Sequence, residues 1–231
     1  MIAHATPPAP IVWVQAGHEG PREPGYTAQT GAGSGPFGNE VGFTTRLATR
    51  VTVLLRRYGV DARRTPGRVT PPAARGAVFI SLHHDAAGGR AGVSGARTGV
   101  NENWYHGEGF GTASPTPYPD SAPHRPATTV SAVVEKRSHD LANRIATRFR
   151  AIFTSAKGAY SPYGGVESRD GNPRMTRFYG FYRSNAGARV LVEAGDPARD
   201  ADFLRRVDPI AASVSRAILD HLRSRELLPR R

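Results

Sequence analysis

AVFISLHHDAA, residues 77–87, decides the fold. Its first six residues (77–82) are apolar with a single serine, show no alternation, and are too few for a buried helix. That pattern marks a strand covered on both faces, as in parallel and mixed α/β sheets. His83 emerges where the strand ends. Upstream, IVWVQ (11–15) is a second short apolar run that stops at a glycine, which puts His18 just past another strand end. Residues 19–38 are rich in Gly, Pro and Thr and read as a loop delivering the chain to Asn39, a fitting helix N-cap. Beyond it Phe43, Leu47, Val51, Leu54 and Tyr58 recur at helical spacing until Gly59, so Glu40 heads the apolar face of a helix. Residues 60–64 then read as a strand.

Downstream, 86–126 turns to Gly, Pro, Ser and Thr around Trp104, Tyr105, Phe110 and Tyr118, and reads as a loop-rich insertion with a candidate strand at 103–106. Helical spacing returns over 128–153 through Val130, Val133, Val134, Leu141, Ile145, Phe149 and Ile152. Another loop covers 158–174. Residues 178–182 are a candidate strand and ARVLV (188–192) a stronger one, ending at Glu193 and followed by Gly195. A last amphipathic helix, 209–222, carries Ile210, Val214, Ile218 and Leu222. Strands alternating with helices predict one α/β domain: a mainly parallel or mixed twisted sheet with helices on both faces. It spans 11–224, after a Pro-rich leader (1–10) and before a basic tail (225–231).

Composition bounds the chemistry. The 231 residues are 39% hydrophobic and 22% charged, which suits one domain with a real core, and 26 Gly with 19 Pro imply generous loops. With no cysteine, disulfides, thiolate metal sites and cysteine nucleophiles are excluded, so any metal must be held by His and carboxylates. The net charge of +12 favours an anionic partner such as a cell wall, nucleic acid or anionic lipid, although the arginines at 45–57, 141–150 and 223–231 read first as solvated helix faces. No run approaches the roughly 20 apolar residues needed to span a bilayer. The N-terminus MIAHATPPAP lacks the pattern of a secretory signal. The expectation is therefore a protein released with its cell's lysis, like a phage lysin, or one whose signal has been removed.

His18, His83 and Glu193 each follow a predicted strand, and Glu40 opens the helix after the first loop. In open α/β sheets that shared edge is where ligands bind. Two imidazoles and one carboxylate would leave a tetrahedral zinc one position for water, as in a catalytic rather than a structural site. Zinc acidifies that water and polarises a carbonyl, and a second carboxylate, Glu193, could act as general base and then acid.

Taken in order, AGHEG (16–20), GNE (38–40) with its helix running on to LATRVTVLLRRYGVDARRT (47–65), FISLHHDAA (79–87) and VLVEAGD (190–196) resemble the successive motifs of the zinc-dependent N-acetylmuramoyl-L-alanine amidases, in the amidase type 3 catalytic domain. The resemblance covers most of the chain. It implies hydrolysis of the amide bond between N-acetylmuramic acid and the L-alanine of the peptidoglycan stem peptide, with one zinc held by His18, Glu40 and His83 and with Glu193 catalytic. The chain departs from the pattern at Gln15-Ala16, where aspartate-proline is usual, and at Asp85, where asparagine is common; the arginine-glycine turn is not evident at 164–177.

Each residue also has a plainer reading. Glu40 could serve only the helix dipole, and Glu193 could pair an arginine. His84, beside His83, points to the opposite side of an extended chain and is left as a substrate-facing or structural residue. His106, His124 and His139 read first as solvent-exposed histidines, with contact to substrate as the alternative. Competing functions are a zinc carboxypeptidase or other amidohydrolase on related peptides, and a non-catalytic basic module that binds cell wall. No nucleic-acid-binding motif stands in its required context. Peptidoglycan is the expected partner, and oligomeric state is open.

Overall fold

In the computed structural model, the structure describes residues 8–19, 37–67, 74–89, 91–98, 129–155 and 184–229. The elements run β1 (Ile11–Ala16), α1 (Glu40–Arg56), β2 (Asp61–Pro66), β3 (Arg75–Gly76), β4 (Val78–His83), β5 (Gly92–Gly95), α2 (Ala132–Ser155), β6 (Asn185–Ala186), β7 (Arg189–Glu193), α3 (Ala201–Arg205) and α4 (Val207–Ser224). The main sheet has five strands in the order β2-β1-β4-β7-β5. It is parallel throughout except at β5, which lies antiparallel to β7. β3 and β6 form a small parallel pair beside it. This is the expected mixed α/β sheet in one domain. The chain leaves β1 for β2 on one side and comes back to β4 on the other, so strand order reverses between β1 and β4. A crevice opens at the carboxyl ends of strands flanking such a reversal.

β4 is buried along its whole length, as its unbroken apolar run requires. Val12, Val14, Val78, Ile80, Leu82, Val190 and Val192 share one face and one core with α1, α2 and α4. Among the described residues this is the face the helices cover. The alternate residues Gln15, Phe79, Ser81 and Leu191 occupy the other face and are also fully buried.

The helical faces follow the sequence with local changes. On α1, Phe43, Leu47, Val51 and Leu55 are fully buried, whereas Leu54 is half-buried and Tyr58 is 42% exposed. The helix ends earlier than the spacing predicts: Gly59 takes φ +78, and the Val60 N–H closes back on Leu55 O at 3.3 Å. α2 starts at Ala132, where the Ser131 hydroxyl accepts the Val134 N–H at 3.3 Å, an N-cap contact. Val133, expected in the core, is 54% exposed, while Leu141, Ile145 and Phe149 are buried. α4 buries all of Ile210, Val214, Ile218 and Leu222.

Gly92–Gly95 forms an edge strand inside the stretch read as a loop, with Val93 and Ser94 buried against Val192 and Leu191. Several helical arginines pair with acids across or along helices, as in Arg50–Asp208 at 2.7 Å, Arg144–Asp140 at 2.8 Å and the Arg148–Asp220 pair. Residues 99–126, with the candidate strand 103–106, His106, His124, Trp104, Tyr105, Phe110 and Tyr118, and also the candidate strand 178–182 and residues 164–177, lie outside the described residues. No helix among the described residues is long and apolar enough to cross a membrane.

Candidate metal centre

β1, β4 and β7 are neighbours in the sheet and end together. His83 and Glu193 are the last residues of β4 and β7 rather than the first residues past them, and they are register partners. Partners across a ladder face the same side of the sheet, so both side chains stand on the side of Gln15 and Ser81. After β1, the Gly17 N–H donates to Leu82 O at 3.0 Å, and the chain then turns sharply at His18, which takes φ +60. Only a few per cent of non-glycine residues adopt this left-handed conformation. Gly17 is required by the close approach of the His83 ring: a Cβ there would lie 2.1 Å from His83 Cε1 and 2.3 Å from Nδ1. The α1 end is tied to the same turn by Thr44, whose hydroxyl donates to Gly17 O at 2.6 Å.

The first residue of α1, Glu40, is 3% exposed and faces both histidines. Its Oε1 lies 2.8 Å from His83 Nδ1 and its Oε2 3.3 Å from His18 Nε2. The two rings meet edge to face with centroids 5.1 Å apart. One potential ligand atom from each of His18, Glu40 and His83 falls within 4.8 Å of the others, at the edge where β1 and β4 separate. The donors are two nitrogens and one carboxylate, without sulfur, a set that suits zinc with a coordination position left over. These three residues could together hold a metal ion. Glu193, 5% exposed, lies outside that group, next to it through its pairing with His83.

The structure also separates the adjacent histidines. His84 turns away and is buried between Phe37 and Phe43, with ring centroids 5.3 and 5.5 Å distant. Burial pulls its pKa below the usual imidazole value, although the Asp85 carbonyl, 2.8 Å from Nδ1, pulls the other way. Only its backbone N–H reaches the cluster, donating to Glu40 Oε1 at 3.3 Å. His139 is half-buried on α2, beside β5 and away from the cluster.

Two residues at the site carry roles the sequence reading did not assign. The Ser81 hydroxyl donates to Gln15 Oε1 at 2.6 Å and lies 2.9 Å from His83 Nε2. The signal for them is a polar residue two positions before a strand-end ligand, on the same face, beside another polar residue in the neighbouring buried strand.

No protein-family model matches the chain, and no curated protein does. Solved structures do. The chain is similar to the N-acetylmuramyl-L-alanine amidase Ami1 from Mycobacterium smegmatis, with a TM-score of 0.58 and 18% identity over 94% of this chain and 98% of that one. It is also similar to the N-acetylmuramoyl-L-alanine amidase AmiC2 of Nostoc punctiforme, with a TM-score of 0.57 and 17% identity over 92% and 97%. A third, the catalytic domain of the amidase CwlV from Bacillus (Paenibacillus) polymyxa var. colistinus, gives 0.51 and 13% over 93% and 98%. The chain therefore has the fold of these amidases across nearly its whole length.

Proposed function

We propose that this chain is a zinc-dependent N-acetylmuramoyl-L-alanine amidase acting on peptidoglycan in the cell wall. The observation that carries the reading is the meeting of His18, Glu40 and His83 within 4.8 Å at the sheet edge, with Glu193 alongside. The likeness of fold to such amidases supports it, as do the ordered sequence motifs. In this reading His18, Glu40 and His83 hold one zinc, which when bound acidifies a water and polarises the scissile carbonyl. Glu193 takes the proton of the attacking water and delivers it to the departing alanine nitrogen.

Digestion of purified peptidoglycan tests the substrate. Free amino groups on the first alanine of the stem should appear while glycan chains stay intact. New carboxyl-terminal peptide products without that alanine would make the enzyme a carboxypeptidase instead. A protein that takes up no zinc and releases nothing would be a wall-binding module. Chelation should abolish activity and added zinc should restore it.

A further inference from the structure

We propose that Ser81 and Gln15 are positioning residues that fix which ring nitrogen His83 offers to the metal; this rests on the zinc reading above. Gln15 on β1 and Ser81 on β4 are direct register partners, and Ser81 precedes His83 by two residues on the same face of the strand. All three are buried, at 0%, 0% and 1% exposure. A serine hydroxyl has one proton to give. Here it goes to Gln15 Oε1 at 2.6 Å. The 2.9 Å contact between Ser81 Oγ and His83 Nε2 must then be made by an Nε2–H donating to the hydroxyl lone pair. A neutral imidazole carries only one N–H, so Nδ1 keeps its lone pair. Nδ1 is the atom turned toward Glu40, 2.8 Å from Oε1.

The direction of the whole chain is set by the acceptor at its far end. If the Gln15 amide were reversed, its NH2 would donate to Ser81, Ser81 would donate to Nε2, and the proton on His83 would move to the metal side. An oxygen at position 15 is therefore the determining feature, and a carboxylate, which can only accept, serves as well. The side chains are otherwise costly: two hydroxyl or amide groups in fully buried strands need a polar reason to be there. Histidine metal ligands in general depend on such a partner on the second nitrogen, and losing it typically costs about 10–100-fold in metal affinity.

The test measures zinc affinity by chelator competition in Ser81→Ala, Gln15→Leu and Gln15→Glu, with the ¹⁵N-histidine spectrum of the zinc-loaded protein as a second readout. Ser81→Ala and Gln15→Leu should each bind zinc about 10–100-fold more weakly, and Gln15→Glu should stay close to wild type. The His83 signals should show a protonated Nε2 and an unprotonated, metal-bound Nδ1. Wild-type affinity in both Ser81→Ala and Gln15→Leu, or a spectrum with Nδ1 protonated, overturns the relay and leaves the metal site standing. Absence of zinc binding in the wild type overturns both.

Discussion

Replacing Gly17 by alanine adds one methyl group at the tightest point of the centre. That carbon would start 2.1 Å from His83 Cε1, 2.3 Å from Nδ1 and 2.5 Å from Nε2. Carbon atoms pack comfortably at about 3.5–4.0 Å, so ring and backbone must separate by roughly 1.4 Å or more. Neither can yield easily. The ring is held on one side by Ser81 at 2.9 Å and on the other by Glu40 at 2.8 Å, and the Gly17 backbone is fixed to Leu82 and Thr44. Overpacking of this kind costs about 1–3 kcal/mol of stability, which a domain of this size survives. A displacement of about 1 Å at a reacting centre can cost about 100-fold in rate. Gly17→Ala is therefore expected to fold with a lowered Tm, to bind zinc at least tenfold more weakly, and to lose about 100-fold or more of its activity. Thermal unfolding, chelator competition and peptidoglycan digestion measure the three separately. Wild-type zinc affinity in a folded Gly17→Ala protein would refute the reasoning, because it would mean that the ring does not have to lie over residue 17.

Other perturbations separate the roles of the site from those of the core. His18→Ala should lose both zinc and turnover, whereas Glu193→Gln should keep near-stoichiometric zinc and lose most turnover; metal analysis beside an activity assay checks the pair, and full activity in Glu193→Gln would remove that residue from proton transfer. Phe203, 1% exposed in the short α3, packs its ring 4.1 Å from that of Phe153 and 6.5 Å from Phe149, so Phe203→Ala should cost about 3–5 kcal/mol in denaturant unfolding; a loss under about 1 kcal/mol would mean that α3 is not part of the core. His221 bridges α4 to Asp140 on α2 at 2.8 Å, yet burial holds its pKa below the ordinary imidazole value, the Asp140 carboxylate offsetting only part of this. The unfolded chain then binds more protons, so its contribution to stability is intact above an unfolded pKa of about 6.5 and declines as pH falls toward the folded value. Asp140, whose pKa is held low by Arg144 and His221 against the opposing effect of burial, adds its own loss only at still lower pH. Between pH 7 and 5, His221→Gln should therefore lose less stability than wild type; parallel curves would contradict the assignment.

Much of the sheet was legible because its central strands are short apolar runs that end at chemically distinctive residues. β5 was not. Its sequence GVSG has poor intrinsic strand preference, and it becomes a strand by pairing with β7, which buries Val93 and Ser94. On α1 the spacing reads through Leu54, but steps of three and four residues from Val51 both keep to a helical face, so Leu55 fits it equally well. Packing against α4 and the sheet selects Leu55. The histidines and glutamates of the site stood out because each closes an apolar run or opens a helix. Gln15 and Ser81 stay hidden for a different reason: their meeting depends on the register between β1 and β4, and register between parallel strands far apart in sequence is fixed by the folded sheet rather than by any local pattern.

The departures from ordinary folding rules are concentrated in one place. His18 takes a left-handed backbone, Glu40 buries a carboxylate at a helix start, Gly17 gives up a side chain to a histidine ring, and Gln15 and Ser81 put polar groups into fully buried strands. Each of these lowers stability when taken alone, and none is needed to pack the apolar core on the other side of the sheet. Local rules fail together where a site is being built. A divalent cation among His18, Glu40 and His83, as proposed above, would account for all of them: the sharp turn would bring His18 to it, the missing Cβ would admit His83, Glu40 would supply the negative charge, and the serine and glutamine would hold the ring facing it. Binding would then couple to stability, because the ion favours the folded chain that presents the donors over the unfolded one that scatters them. The zinc-loaded protein should melt at a higher temperature than the chelated one, and His18→Ala should erase that difference while leaving the melting of the chelated protein near or above its wild-type value, since alanine removes the histidine but not the fold.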